Sequence, residues 1–176
     1  MLSKNKFVSR STFCKEVHLG EGAVKTLILH LKEAEMVKSN RSGTYMTEKG
    51  LKFIRQIQRI IPRECKVGKS TVVQGKFNHA VLLKKYSNSI HAGLEQRDFA
   101  ILYGSTGCIT ILFKHGRFVF PGNDIDCFED DDQTRNLLLK KLTPEEGDAI
   151  IISSSSDPFV AEISAKNSAL WTLATN

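Results

Sequence analysis

Apolar residues at Val24, Leu27, Ile28, Leu31 and Ala34 recur at three- and four-residue intervals, so residues 21–34 read as an amphipathic helix with one buried face. Lys25, Thr26, Leu29 and Lys32 fall off that stripe. Two short segments follow, Met36–Ser39 and Thr44–Met46, divided by Asn40-Arg41-Ser42-Gly43, whose residues favour a hairpin turn. Thr47 stands where a helix cap belongs, ahead of Leu51, Ile54, Ile57 and Ile61 on one face. Upstream, Ser11 is expected to cap a short helix through Val17 that turns Phe13, Cys14 and Val17 inward, and His18-Leu19-Gly20 makes the turn into the next helix. Helix, turn, helix, basic hairpin, helix is the order of a winged helix-turn-helix.

The texture changes after Pro62, which cannot continue the helix ending near Ile61. Residues 63–70 have little periodicity and read as a connector. Strands are expected at Thr71–Gln74, Ala80–Tyr86, Cys108–Lys114 and Phe118–Phe120, the last two paired around His115-Gly116. Asp98–Tyr103 reads as a short helix and Gln133–Leu142 as a longer one. Ala149–Ile152 is a wholly apolar strand, followed by four serines. Asp157 with Pro158 behind it marks the start of a last helix running to about Leu173. The expected fold class is α+β (mixed α/β): a winged helix-turn-helix head over 1–62, a connector over 63–70 and a small mixed α/β domain over 71–176.

Charge divides the chain along the same line. Residues 1–70 carry 15 Lys+Arg against 6 Asp+Glu, a net +9, whereas residues 71–176 carry 10 against 13, a net −3. A basic head beside an acidic remainder points to a polyanion partner for the head alone, and with the winged-helix order that partner is double-stranded DNA. The four cysteines, Cys14, Cys65, Cys108 and Cys127, show neither metal-ligand spacing nor a disulfide framework, and they fit a reducing, cytoplasmic setting. No stretch approaches the roughly 18 apolar residues of a membrane span, and the opening MLSKNKFVSR lacks the apolar core of a signal peptide.

In a helix-turn-helix the second helix enters the major groove and its first residues reach base edges. Here those are Glu21, Gly22, Ala23, Lys25 and Thr26: Lys25 bonds guanine or phosphate, Thr26 bonds bases or phosphate, and Gly22 permits close approach. Lys38, Asn40 and Arg41 place the hairpin at the phosphates or the minor groove, and Arg10 and Lys15 clamp the backbone beside it. In the second domain, Glu95, Gln96, Arg97 and Asp98 form a dense polar cluster beside glycines. It is either a ligand-contacting loop or a set of caps and ion pairs. Ser154 and Ser155 lie between an apolar strand and a helix start, a place for an anion that Asp157 already fills with negative charge. Glu129–Asp132 reads as a solvated run favouring the following helix rather than a cation site. Gly68-Lys69-Ser70 ends like a phosphate-binding loop, but Arg63 stands where its first glycine belongs, which excludes that motif. The histidines have no metal-ligand spacing and no Ser/His/Asp order suggests a nucleophile, so no metal, cofactor or enzymatic activity is expected.

The run Leu19-Gly20-Glu21-Gly22-Ala23-Val24-Lys25-Thr26-Leu27, with Leu31, Met36-Val37, Ser42-Gly43 and Thr47-Glu48-Lys49-Gly50, resembles the reading head of archaeal winged-helix transcriptional regulators. It is also similar to the heads of bacterial sugar-responsive regulators of central glycolysis, which carry Thr and Arg where this chain has Ala23 and Lys25. Glu35 stands where such heads end a helix with glycine. Winged helices open with a further helix beneath the other two. Met1–Ser9 is short and polar for that, so either the start is truncated or another element or subunit covers that surface. Gly93-Leu94-Glu95-Gln96-Arg97-Asp98, Ala100-Ile101, Gly104, Gly107 and Pro121-Gly122 resemble the C-terminal domain of the same archaeal regulators, a domain of unknown function. The resemblance implies a homodimeric regulator whose second domain senses a small-molecule effector or holds the dimer together. A protein–protein adaptor that uses its winged helix without reading sequence is the alternative. An enzyme seated on Glu95, Arg97 and Asp98 is a third reading, and it requires a deep pocket there. Ala161, Ala165 and Ala169 form a small-residue stripe on the last helix, open to core packing or to a dimer contact.

Overall fold

Ser9, not Ser11, opens the first helix: its hydroxyl accepts the Thr12 N–H at 3.1 Å, and α1 spans Arg10–Val17. The structure is a computed structural model that describes Leu2 and residues 6–175. Positions 1 and 3–5, part of the leading segment discussed above, lie outside the described residues. Its residues fall into two compact units that divide between Gln58 and Arg59, slightly ahead of Pro62.

In the first unit α1 ends on His18, whose φ of 53° turns the chain into α2 (Glu21–Glu33). Val24 and Ile28 of α2 bury against Phe13 and Val8, while Leu27 and Leu31 are half-buried. Ala34, expected on the buried stripe, is exposed because the helix stops at Glu33. Glu35 takes the left-handed turn expected of glycine, at φ 59°. A side chain there costs about 1–2 kcal/mol. Two tethers offset that cost: Thr47 Oγ1 donates to the Glu35 carbonyl at 2.7 Å, and Lys49 Nζ meets its carboxylate at 3.0 Å.

Strands β1 (Val37–Asn40) and β2 (Gly43–Met46) pair antiparallel, with Asn40 opposite Gly43, leaving Arg41-Ser42 as a two-residue turn. Asn40 Oδ1 accepts the Ser42 N–H at 2.9 Å and holds that turn. Val8 adds a bridge to Thr44, so a single residue before α1 widens the hairpin sheet. Gly43 is required there: its φ is 129°, and a Cβ would lie 2.7 Å from the Val8 carbonyl oxygen. Thr47 then caps α3 (Glu48–Ile60) by accepting the Gly50 N–H at 3.0 Å.

The second unit is built on a five-stranded antiparallel sheet of order β3-β4-β7-β5-β6. Its strands are β3 (Glu64–Val67), β4 (Phe77–Leu83), β5 (Gly107–Lys114), β6 (Arg117–Val119) and β7 (Asp148–Ser155). Segment 63–70 is therefore not a plain connector, since Glu64–Val67 pairs with β4 as an edge strand. Thr71–Gln74, expected as a strand, is irregular, with Val73 buried in the core. The central strand β7 is buried along its whole length, as a strand covered on both faces must be. Ile150 and Ile152 face α5 (Asp132–Leu142), together with Leu138, Leu142 and the edge-to-face rings of Phe113, Phe118 and Phe128. Ala149 and Ile151 face the opposite side, packed with Ala165 and Ala169 of α6 (Pro158–Thr175).

Helix α4 (Leu94–Leu102) begins earlier than expected and lies against α6. Ser168 Oγ donates to the Gln96 carbonyl at 2.7 Å and Ser164 Oγ to the Tyr103 carbonyl at 3.1 Å. Two ionic anchors stiffen this unit. Asp148, fully buried, accepts Lys84 Nζ at 3.0 Å and the N–H groups of Lys85 and Glu145 at 3.0 and 2.8 Å. Glu64 Oε2 meets both His79 Nε2 and Lys166 Nζ at 2.9 Å. The His79 bond, aided by Lys166 and opposed by burial, lowers the Glu64 carboxyl to about 2.

Candidate nucleic-acid interface

Four cations of unit one, Arg10, Lys25, Lys32 and Lys38, share one side because three local features converge there. Arg10 opens α1, Lys25 and Lys32 stand seven residues apart on one face of α2, and Lys38 projects from β1. A cleft of about 370 Å³ is lined by Arg10, Lys25, Thr26, Ile28, Leu29 and Lys32. A second, about 190 Å³, continues past Arg10 and Lys32 to Ser39, Asn40 and Gly43. A third, about 380 Å³, runs from Lys32 to Lys38 and Tyr45. Lys32 lines all three, so they form one band from α2 to the hairpin. Among the described residues, Arg10, Lys25, Lys32, Lys38 and Arg41 make no ion pair, and Lys49 with Glu35 is the pair this unit forms. In the second unit Lys84, Arg97, Lys114, Arg135 and Lys166 are paired, while Lys66, Lys69, Lys76, Lys140 and Lys141 form no ion pair among the described residues.

Glu21, Gly22 and Ala23 are exposed on the first turn of α2. A Cβ on Gly22 meets nothing within 4 Å, so its surface is open. Thr26 differs from expectation: its hydroxyl donates to the Gly22 carbonyl at 3.2 Å, inside its own helix. Asn40 has its side-chain oxygen committed to the hairpin turn, and Arg41 sits exposed at the tip. Lys15, in the last turn of α1, lines none of the three clefts, unlike Arg10 at the other end of that helix. Lys32 and Leu29 join the band without having been assigned from sequence. The signal for Lys32 was its seven-residue interval from Lys25, two full helical turns.

The polar cluster on α4 does not form a pocket of convergent groups. Gln96 is buried as a packing residue, donating to Thr172 Oγ1 at 3.2 Å. Arg97 and Asp98 pair with each other at 3.1 Å on the surface, and Glu95 is exposed. The adjoining cleft, lined by His91–Gln96, measures about 220 Å³. Ser154 belongs to a different cleft of about 550 Å³, walled by Val72–Gly75 and Thr106–Ile109. It lies within β7 rather than beyond it, and donates to Asn78 Oδ1 at 2.6 Å. Ser155 also ends β7, accepting the Asp157 N–H at 3.3 Å. The N-terminus of α6 is closed by Asp157, which accepts the N–H groups of Phe159 and Val160 at 2.7 and 3.1 Å. Ala161, Ala165 and Ala169 are buried in the unit's own core and are not available to a second chain. Burial pushes the thiols of Cys65, Cys108 and Cys127 up to about 11, 12 and 12, which disfavours their thiolate forms. No helix among the described residues is long and apolar enough to cross a membrane.

Residues 73–173, more than half of the chain and all within the second unit, match a domain of unknown function (DUF4443), and the chain belongs to that family. Across 99% of this chain and 89% of its own, a hypothetical protein from Pyrococcus horikoshii OT3 (PH0730) shares the fold, with a TM-score of 0.74 and 22% identity. No curated protein matches the chain.

Proposed function

We propose that this protein binds duplex DNA through its first unit and acts as a transcriptional regulator. The observation that carries the reading is the band of unpaired cations from α2 to the hairpin. Unpaired lysines and arginines on one face repel one another, and a polyanion relieves that repulsion while releasing its counterions. In this arrangement α2 lies in the major groove. Lys25 reaches guanine or phosphate, and Glu21 accepts from cytosine at the helix start. Arg10, Lys32, Lys38 and Arg41 hold phosphates and fix the register. The second unit serves as the regulatory half, as a seat for a small-molecule effector or for a second copy of the chain, and the protein acts by binding rather than catalysis. An uncharged polar effector suits the 550 Å³ cleft, whose lining residues are uncharged.

The test is selection of the purified chain against random duplex DNA over a salt series, with sequencing of the retained pool. Enrichment of a defined motif supports the regulator, and a palindromic one supports a dimer with the spacing of its half-sites. Salt-sensitive retention with no enriched motif refutes sequence reading and favours an adaptor.

A further inference from the structure

The geometry points to α2 as a reader of thymine methyl groups, through an apolar strip made by Thr26 and Leu29. This inference rests on the DNA-binding reading above. Gly22, Thr26 and Leu29 succeed one another at intervals of four and three residues, so they lie along one face of α2. That face is turned away from Val24 and Ile28, which are buried. Leu29 is 52% exposed although four cationic or polar residues share its cleft: Arg10, Lys25, Thr26 and Lys32. Thr26 completes the strip because its hydroxyl is turned back onto the Gly22 carbonyl at 3.2 Å. Thr26 is exposed, and with its hydroxyl bonded within the helix its methyl group is the part left to make an apolar contact. Gly22 adds no side chain to shield the strip.

An exposed leucine alone would be ordinary. Its neighbours decide the occupant. Unpaired cations beside the strip exclude a cationic partner and attract a polyanion. In the major groove, the apolar group offered by a base pair is the thymine C5 methyl. Lys25, four residues before Leu29, then reaches a phosphate or a guanine next to the thymine. The strip therefore selects thymine next to positions set by Lys25.

The probe is deoxyuridine, which lacks that methyl and leaves every hydrogen-bonding edge unchanged. Duplexes retained from the random pool are resynthesised with single thymine-to-deoxyuridine replacements, and binding is measured by anisotropy. At one or two positions the wild-type chain should lose about fourfold affinity per methyl removed. Leu29→Ala should bind the parent duplex more weakly, keep the wild-type salt dependence, and lose its sensitivity to deoxyuridine at one of those positions. Thr26→Ser, which keeps the helix bond and deletes the methyl, should abolish sensitivity at the neighbouring one. Both sites are exposed, and thermal melting checks that each variant folds. Salt-dependent binding with an enriched motif but indifference to every deoxyuridine overturns methyl reading and leaves DNA reading intact. Absence of any retained duplex overturns both.

Discussion

Lys32→Ala isolates the electrostatic argument, because this one side chain lines all three clefts of the band and has no ion pair among the described residues. Counting Arg10, Lys25, Lys32, Lys38 and Arg41 as phosphate contacts, log K should fall against log salt with a slope of about −4.5. Between 50 and 200 mM salt that slope is a loss of about 500-fold. Removing Lys32 deletes one contact. The slope should become about −3.6, and affinity at 0.1 M salt should drop roughly eightfold. Anisotropy of a labelled duplex across the salt series measures both quantities for wild type and variant. Lys140→Ala, on α5 of the second unit, is the control and should leave slope and affinity unchanged. Parallel slopes for wild type and Lys32→Ala would refute phosphate contact by Lys32. A wild-type slope shallower than about −2 would refute the whole band as a polyanion surface.

Three further outcomes follow from local geometry. Gly50→Ala should destabilise the first unit by about 1–3 kcal/mol, reversing the usual gain of alanine in a helix, because the new Cβ would sit 2.1 Å from the Met36 carbonyl oxygen; thermal melting followed by far-UV circular dichroism decides the sign. Asp148→Ala should cost about 1–3 kcal/mol, since it removes the buried acceptor of Lys84 Nζ and of the Lys85 and Glu145 N–H groups, while Lys84 keeps Glu145 at 3.2 Å. Trp171, the single tryptophan, lies in the second unit, so its fluorescence in urea reads that loss directly, and an unchanged midpoint would contradict the anchor. Glu64 has its carboxyl lowered from 4.5 to about 2, so the stability it contributes is complete above pH 4.5 and is lost as pH falls towards 2. Because its side chain is 43% exposed, solvent screening reduces that contribution to about 1 kcal/mol. Glu64→Gln should flatten the decline of the urea midpoint over that acid window, and a decline as steep as wild type would assign the acid sensitivity to other groups.

The helices of the first unit were legible because their signals are local: the Val24–Ile28 interval, the Thr47 cap and the Asn40–Gly43 turn each act within a few residues. The apolar run Ala149–Ile152 likewise announced a strand, and the structure buries that strand along its whole length. What failed depended on partners distant in sequence. Glu64–Val67 shows little strand pattern, yet β4 supplies it with a ladder. The expected strand ended at Ile152, ahead of the serines, but β4 and β5 on either side of β7 carry the pairing on through Ser153 and Ser154. Thr71–Gln74 has strand residues without a neighbour to pair with and stays irregular.

For the candidate interface, the sequence alone determined that the first 70 residues are basic, which side chains lie off the buried stripe of α2, and where the hairpin turns. Side-chain charge and helical periodicity carry that information without any knowledge of packing. The tertiary structure decided that Lys32 links α2 to the hairpin and that Lys15 lines none of the clefts that Arg10 lines. It also turned the alanine stripe of α6 inward and tied Gln96 and Ser154 into packing. These outcomes depend on which surfaces meet and which hydrogen-bonding groups are already satisfied, and both are set only when separate elements come together in space.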